Sequence, residues 1–200
     1  MRGAAASGLV WAVAMLPGVY WWWAALVDQL GANPAEALIR GLGVSTLQLL
    51  CAALLITPLR VVTGWTTLAR WRRPVGLAVF AHALLHAVAY AWLDQSWDMA
   101  ALIRDVWDRP FITVGMAATL FLLAMALTSW NGAVRALGAR RWQTLHRSVY
   151  AVAVLAVLHF FWMRTGKNHF GEVWFYGLLL AALLGWRVWR WWRQRQHRIS

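Results

Sequence analysis

Arg141-Trp-Gln-Thr-Leu-His-Arg-Ser-Val-Tyr-Ala-Val-Ala-Val-Leu-Ala-Val-Leu-His-Phe-Phe-Trp-Met-Arg164 reads as one apolar span with a histidine near each end. His146 stands beside Arg147 at the basic end. His159 follows thirteen residues later, with little but Val, Ala and Leu between the two. At 1.5 Å of rise per residue, such a run crosses a hydrocarbon core of about 30 Å. A charge at mid-depth costs about 2.5–3.5 kcal/mol or more, so an ionisable side chain there marks function by default. A neutral imidazole costs less, yet each ring nitrogen still wants a partner.

The rest of the chain shares this character. Of its 200 residues, 62% are hydrophobic and 13% charged, against about 45–50% apolar in soluble domains. Apolar runs recur at 9–27, 42–62, 75–93, 111–130, 145–163 and 172–189. Each is near the ~20 residues that a spanning helix needs. The pattern predicts an all-α polytopic membrane protein, a six-transmembrane-helix bundle forming a single domain over residues 1–200. Only Arg2 precedes the first run, as in a signal peptide. Pro17 in its middle and Trp21-Trp22-Trp23 at its far end favour a retained helix.

A net charge of +12 would suit nucleic acid, but the placement of the charges argues for topology. With the N-terminus inside and spans alternating, the inner side receives Arg2, Arg60, Arg70, Arg72, Arg73, Arg135, Arg140, Arg141, Arg147, Arg187, Arg190, Arg193, Arg195 and Arg198. Those are fourteen of the nineteen basic residues. The outer side receives all seven acids: Asp28, Glu36, Asp94, Asp98, Asp105, Asp108 and Glu172. This satisfies the positive-inside rule with both termini cytoplasmic. Tryptophans at several span ends fit interfacial anchoring. The single cysteine, Cys51, excludes a disulfide framework or thiolate metal site within one chain. Between the third and fourth spans, Trp97, Met99, Leu102, Ile103, Val106 and Trp107 alternate with acids, which predicts an amphipathic helix on the outer face.

Four histidines fall in the spans: His82 and His86 in the third, His146 and His159 in the fifth. His169 in an outer loop and His197 in the basic tail read as solvated. Depth decides which can pair. His86 lies thirteen residues beyond Arg73 and His159 twelve beyond Arg147, about 20 and 18 Å along helices running the same way. These two are level, in the outer half of the membrane. A haem held between two neutral imidazoles needs that arrangement. His82 sits one turn below His86 on the same face. Thirteen residues turn an ideal helix by about 220°, so His146 and His159 need not face the same way. A second level pair would need a histidine where Arg72 and Arg73 stand, so one haem has support and a second, through His146, has little. Interhelical hydrogen bonds, a proton relay or zinc are the other uses of such histidines. Zinc usually wants three or four close ligands and a relay wants acids at mid-depth, and neither pattern is there. Tyr90, Tyr150, Phe160, Phe161 and Trp162 would suit a macrocycle wall or ordinary packing.

Several segments carry a family resemblance: Leu54-Leu-Ile-Thr-Pro-Leu59, Arg73 with Gly76-Leu77, Leu85-His86 with Tyr90, and Arg109-Pro-Phe-Ile-Thr-Val-Gly115. Ala126-Leu-Thr-Ser129, Leu137-Gly138, Arg141-Trp-Gln-Thr-Leu-His146, Val149-Tyr150 and His159 continue it. Together these resemble the MsrQ (YedZ) family, haem-binding membrane subunits of bacterial periplasmic methionine sulfoxide reductase systems within the ferric-reductase-like transmembrane group. The resemblance implies haem b, with His86, His146 and His159 as the matching histidines, in a bacterial inner membrane. It also implies electrons from the quinone pool, association with FMN, and delivery to a periplasmic molybdenum-containing reductase subunit. The chain departs from the family pattern at His82, whose role stays open. No flavin or nicotinamide domain follows the sixth run, so reducing equivalents are expected from the membrane or from a separate cytoplasmic flavin reductase. The clusters Arg70, Arg72, Arg73, Arg140 and Arg141 would meet a flavin phosphate or simply set topology. The chain then reads as an electron-transfer subunit that does not itself transform a substrate. A stand-alone ferric or other metal reductase of the same fold, and a haem-free structural or transport subunit, are the rival readings.

Overall fold

The computed structural model describes residues 2–165 and 170–196; His169, His197 and Lys167 lie outside them. Among the described residues the chain is helical with no strand. Its helices are α1 (Arg2–Leu26), α2 (Pro34–Thr63), α3 (Arg72–Ala89), α4 (Met99–Asp108), α5 (Pro110–Leu127), α6 (Asn131–His146), α7 (Val149–Arg164) and α8 (Gly171–Gln196). A 3-10 turn, Thr66–Trp71, leads into α3, and a π turn, Tyr90–Asp94, ends it.

Local chemistry sets these boundaries. Asn33 caps α2 by accepting the Glu36 N–H, and Pro34 fills a first-turn position whose missing N–H costs nothing. Gly64, at φ 72°, closes the same helix in the left-handed conformation that glycine tolerates. Asp98 caps α4 by accepting from the N–H groups of Ala100 and Ala101 at 2.9 and 3.0 Å. Pro110 opens α5 directly after it.

Among the described residues, five stretches are long and apolar enough to cross a membrane: Ala5–Leu26, Pro34–Thr63, Thr66–Asp94, Pro110–Leu127 and Asn131–Arg164. The run 172–189 lies in α8, which at 26 residues is long enough. Glu172 in its first turn and Arg187 further on dilute its apolar character. It packs against α2 and α7, and Arg187 donates to the carbonyls of Leu183, at 2.7 Å, and Leu54.

Two expectations change here. The segment before Leu145, read as an inner connection, is helical as α6 on both sides of a kink at Gly138, whose φ is 75°. The run 145–163 is not one helix, because α6 ends at His146 and α7 begins at Val149. Between them the Ser148 N–H bonds the Leu145 carbonyl and the Tyr150 N–H that of Arg147, each at 3.0 Å and three residues back instead of four, so one tight turn interrupts the α pattern while Arg147 and Ser148 keep right-handed helical angles. Trp142 Nε1 donates to the Thr128 carbonyl at 2.9 Å, tying α6 to the end of α5. His146 and His159 therefore sit on different helices.

Packing makes two helix pairs. The most extensive contacts join α2 to α3 and α5 to α7, and α3 also meets α5. Leu47, Leu50, Leu54, Val79, Val152 and Leu180 form the buried centre that joins the pairs. Against lipid tails as apolar as these side chains, close packing of the helices, not removal from water, holds this contact together. α4 packs along α5.

Candidate functional site

A cavity of about 1100 Å³ lies between the two helix pairs, at the upper end of the ~300–1,000 Å³ of small-molecule sites. Its wall is mostly apolar: Val44, Leu47, Leu50, Val79, Ala83, Ile112, Leu122, Val152 and Phe160. Into it project His86 from α3 and His159 from α7. Their ring centroids are 6.1 Å apart and their planes are 83° to one another. Metal–imidazole bonds of about 2.0–2.1 Å would put two ring centres about 6 Å apart across one ion. The spacing fits a metal between the rings, and the volume fits a macrocycle around it.

Each imidazole is held from behind by the partner helix of its pair. His86 Nδ1–H donates to the Ile39 carbonyl of α2 at 2.8 Å, and His159 Nδ1–H donates to the Phe111 carbonyl of α5 at 2.6 Å. A carbonyl only accepts, so the proton sits on Nδ1 and the Nε2 lone pair is left for a ligand bond. Such outer hydrogen bonds orient metal-binding histidines and raise their basicity. Two glycines make the approach close. A Cβ at Gly43 would stand 3.2 Å from His86 Cε1, and one at Gly115 only 2.8 Å from His159 Nδ1. Neither glycine was singled out from sequence, although Gly115 ends a stretch that carries the resemblance. The available signal was a helix-interior glycine, which costs about 0.8–1.0 kcal/mol against alanine and so asks for a packing reason.

Residues 42–157 match the family described as ferric reductase like transmembrane component. The protein-methionine-sulfoxide reductase heme-binding subunit MsrQ of Polaromonas naphthalenivorans is 50% identical over 196 residues, covering 98% of this chain and 90% of that protein. The subunit of the same name from Azospira oryzae is 50% identical over 174 residues, 87% of this chain and 74% of its own. That from Bordetella pertussis is 48% identical over 187 residues, 94% and 90% respectively. The chain belongs to the MsrQ family.

The two other described histidines of this MsrQ-family chain, His82 and His146, are placed apart from the cavity. His82 is fully buried and is not among its lining residues. Its Nδ1–H donates to the Ala78 carbonyl at 2.9 Å, and its Nε2, which has no hydrogen-bond partner, would stand 2.9 Å from a Cβ at Gly18 of α1. The expectation that His82 and His86 share a face is corrected: one ring turns to α1 and the other to α2. His146 stacks on Trp142 with ring centroids 3.9 Å apart, and its Nε2 meets Thr128 Oγ1 at 3.1 Å. Thr128 Oγ1 also reaches the carbonyls of Ala124 at 2.8 Å and Met125 at 3.2 Å. His146 Nε2 is thus engaged, unlike that of His86 and His159. No group of three or more His, Cys, Asp or Glu that could hold a metal ion occurs among the described residues. Of the aromatic candidates, Tyr90, Phe160 and Trp162 line the cavity, whereas Phe161 faces a separate apolar groove between α7 and α8. Arg72 donates to Thr57 Oγ1 at 2.9 Å and Arg73 to Asn131 Oδ1 at 3.3 Å.

The expected amphipathic helix is α4, and it walls the cavity with Leu102, Ile103 and Val106. Asp105 pins it. That carboxylate accepts from the Tyr90 hydroxyl, from Gln95 Nε2 at 3.0 Å and from Arg109 Nη1 at 2.9 Å. The Tyr90 hydrogen bond first, and Arg109 next, hold the Asp105 carboxyl below the usual range. A depressed folded pKa contributes stability that is present above the unfolded value, about 3.9, and lost as pH falls through the folded one. Amide exchange over residues 99–108 is therefore expected to be faster in Asp105→Asn than in the parent near neutral pH. The difference should close as both are taken below pH ~4. A gap that persists unchanged at low pH would show that the charge of Asp105 is not what holds α4.

Proposed function

We propose that this chain is a membrane cytochrome b subunit that passes electrons to a periplasmic methionine sulfoxide reductase, the molybdenum-containing subunit that repairs oxidised proteins. The observation that carries the reading is the pair of facing imidazoles, His86 and His159, each with Nδ1 tied to a backbone carbonyl and Nε2 available. These two side chains would hold the iron of one haem b. The bound group would supply one-electron transfer, with its potential tuned by the two imidazoles and an apolar wall. The chain's own residues orient the ligands, enclose the site and exclude water. Electrons would enter from the quinone pool or from a cytoplasmic flavin reductase. FMN is implied by the family resemblance alone. A second haem on His146 would first have to break the Thr128 hydrogen bond, so one haem is proposed.

The subunit names of the relatives support this reading over a stand-alone metal reductase. Segregation of basic residues to one set of loops supports a bacterial inner-membrane protein with both termini cytoplasmic. The dithionite-reduced, purified protein is expected to show the sharp α band of a b-type cytochrome, and adding a reduced quinol analogue should generate the same band. A featureless spectrum would leave the haem-free reading. A bright C-terminal green fluorescent fusion together with an inactive alkaline phosphatase fusion is expected from the topology, and the reverse pattern would overturn it.

A further inference from the structure

We infer that Gly43 and Gly115 are positioning residues that lock the two cavity imidazoles at right angles, and that this crossing sets the electronic character of the iron between them. The inference rests on the haem reading above and goes beyond it. The same device occurs twice. His86 donates to the carbonyl of Ile39, and the glycine against its ring is Gly43; His159 donates to the carbonyl of Phe111, and its glycine is Gly115. In both cases the glycine follows the acceptor by four residues. In an α-helix those are the two partners of one backbone hydrogen bond. Each ring thus lies in a notch, fixed at Nδ1 by the carbonyl and seated against the helix backbone in the space that a Cβ would fill. The notches belong to different helices, α2 and α5, and hold the ring planes 83° apart.

The crossing matters because an imidazole π orbital interacts with only one of the two iron dπ orbitals that lie along the axis. Parallel rings act on the same orbital and split the pair. Crossed rings act on one each and leave the pair nearly degenerate. Low-spin ferric iron, with a hole in that set, is stabilised by a splitting; ferrous iron, with the set filled, is not. Crossed rings therefore give an iron that is easier to reduce, which suits a centre fed by mild donors. They also give ferric iron a strongly anisotropic paramagnetic resonance in place of a rhombic one.

The experiment is low-temperature electron paramagnetic resonance, with a redox titration, on the oxidised full-length protein in detergent. The parent is expected to show a single, strongly anisotropic low-field feature. Gly115→Ala, whose Cβ would meet Nδ1 at 2.8 Å, should turn the His159 ring, shift the spectrum towards a rhombic three-line pattern and lower the midpoint potential. Gly43→Ala, with its contact at 3.2 Å, should shift both in the same direction by less, and it carries the comparison if Gly115→Ala retains no haem. Gly76→Ala, with nothing within 4 Å, should match the parent in both measurements. A parent with a b-type α band but a rhombic spectrum overturns the inference and leaves the haem reading intact. So does an unchanged spectrum in both Gly43→Ala and Gly115→Ala. A parent with no α band overturns the haem reading, and this one with it.

Discussion

Replacing His86 or His159 with alanine is expected to empty the purified protein of haem, with loss of the α band. The two rings are the only histidines that project into the 1100 Å³ cavity among the described residues. Each has its Nδ1 committed to a carbonyl, which leaves one lone pair per ring. Loss of a supporting hydrogen bond alone typically costs 10–100-fold in metal affinity; loss of the ligand costs more. His146→Ala and His82→Ala are expected to keep the haem and its band, since one ring is engaged by Thr128 and the other is packed against α1. Bound haem per protein in the four variants, measured by pyridine haemochrome, checks the ordering. Full haem content with an unchanged spectrum in His86→Ala would refute the pairing.

Counting along the chain located this pair because a helix rises by a fixed 1.5 Å per residue. Two helices that start at comparable basic positions and run the same way carry His86 and His159 to one level. That argument needs no knowledge of neighbours. Where neighbours decide, the sequence was silent. His82 is one turn from His86, close to the same azimuth, yet the rings part because α1 stands on one side and α2 on the other. The break at Arg147–Ser148 was hidden because its only sequence mark is polar residues at the edge of a long apolar run. Gly43 and Gly115 look like ordinary small residues until an imidazole from another helix is seen against each. The role of α4 as a cavity wall was half legible: its spacing marked an apolar face, but not what that face would cover.

Reduced protein is expected to be reoxidised rapidly when a periplasmic methionine sulfoxide reductase subunit and a methionine sulfoxide are added together, and slowly when either is missing. His159 lies five residues from Arg164, about 8 Å of helix rise, at the end of the bundle where α2, α4 and α5 begin. In the proposed topology that end is the outer one, so a soluble acceptor docking there comes within short range of the iron. His159→Ala should eliminate the coupling by removing the haem. The acids on α4 are not equivalent in docking. Asp98 is occupied in capping the helix and Asp105 in pinning it, so a charge reversal at either would disturb α4 itself. Asp108 is exposed at the end of the helix, and Asp108→Lys is expected to slow reoxidation by the partner at low salt, with the defect shrinking as salt rises. Reoxidation by a small uncharged oxidant should be unchanged in the same variant. If the reduced protein stays reduced with partner and substrate both present, while ferric chelates oxidise it at once, the acceptor is a metal ion and the metal-reductase reading replaces this one.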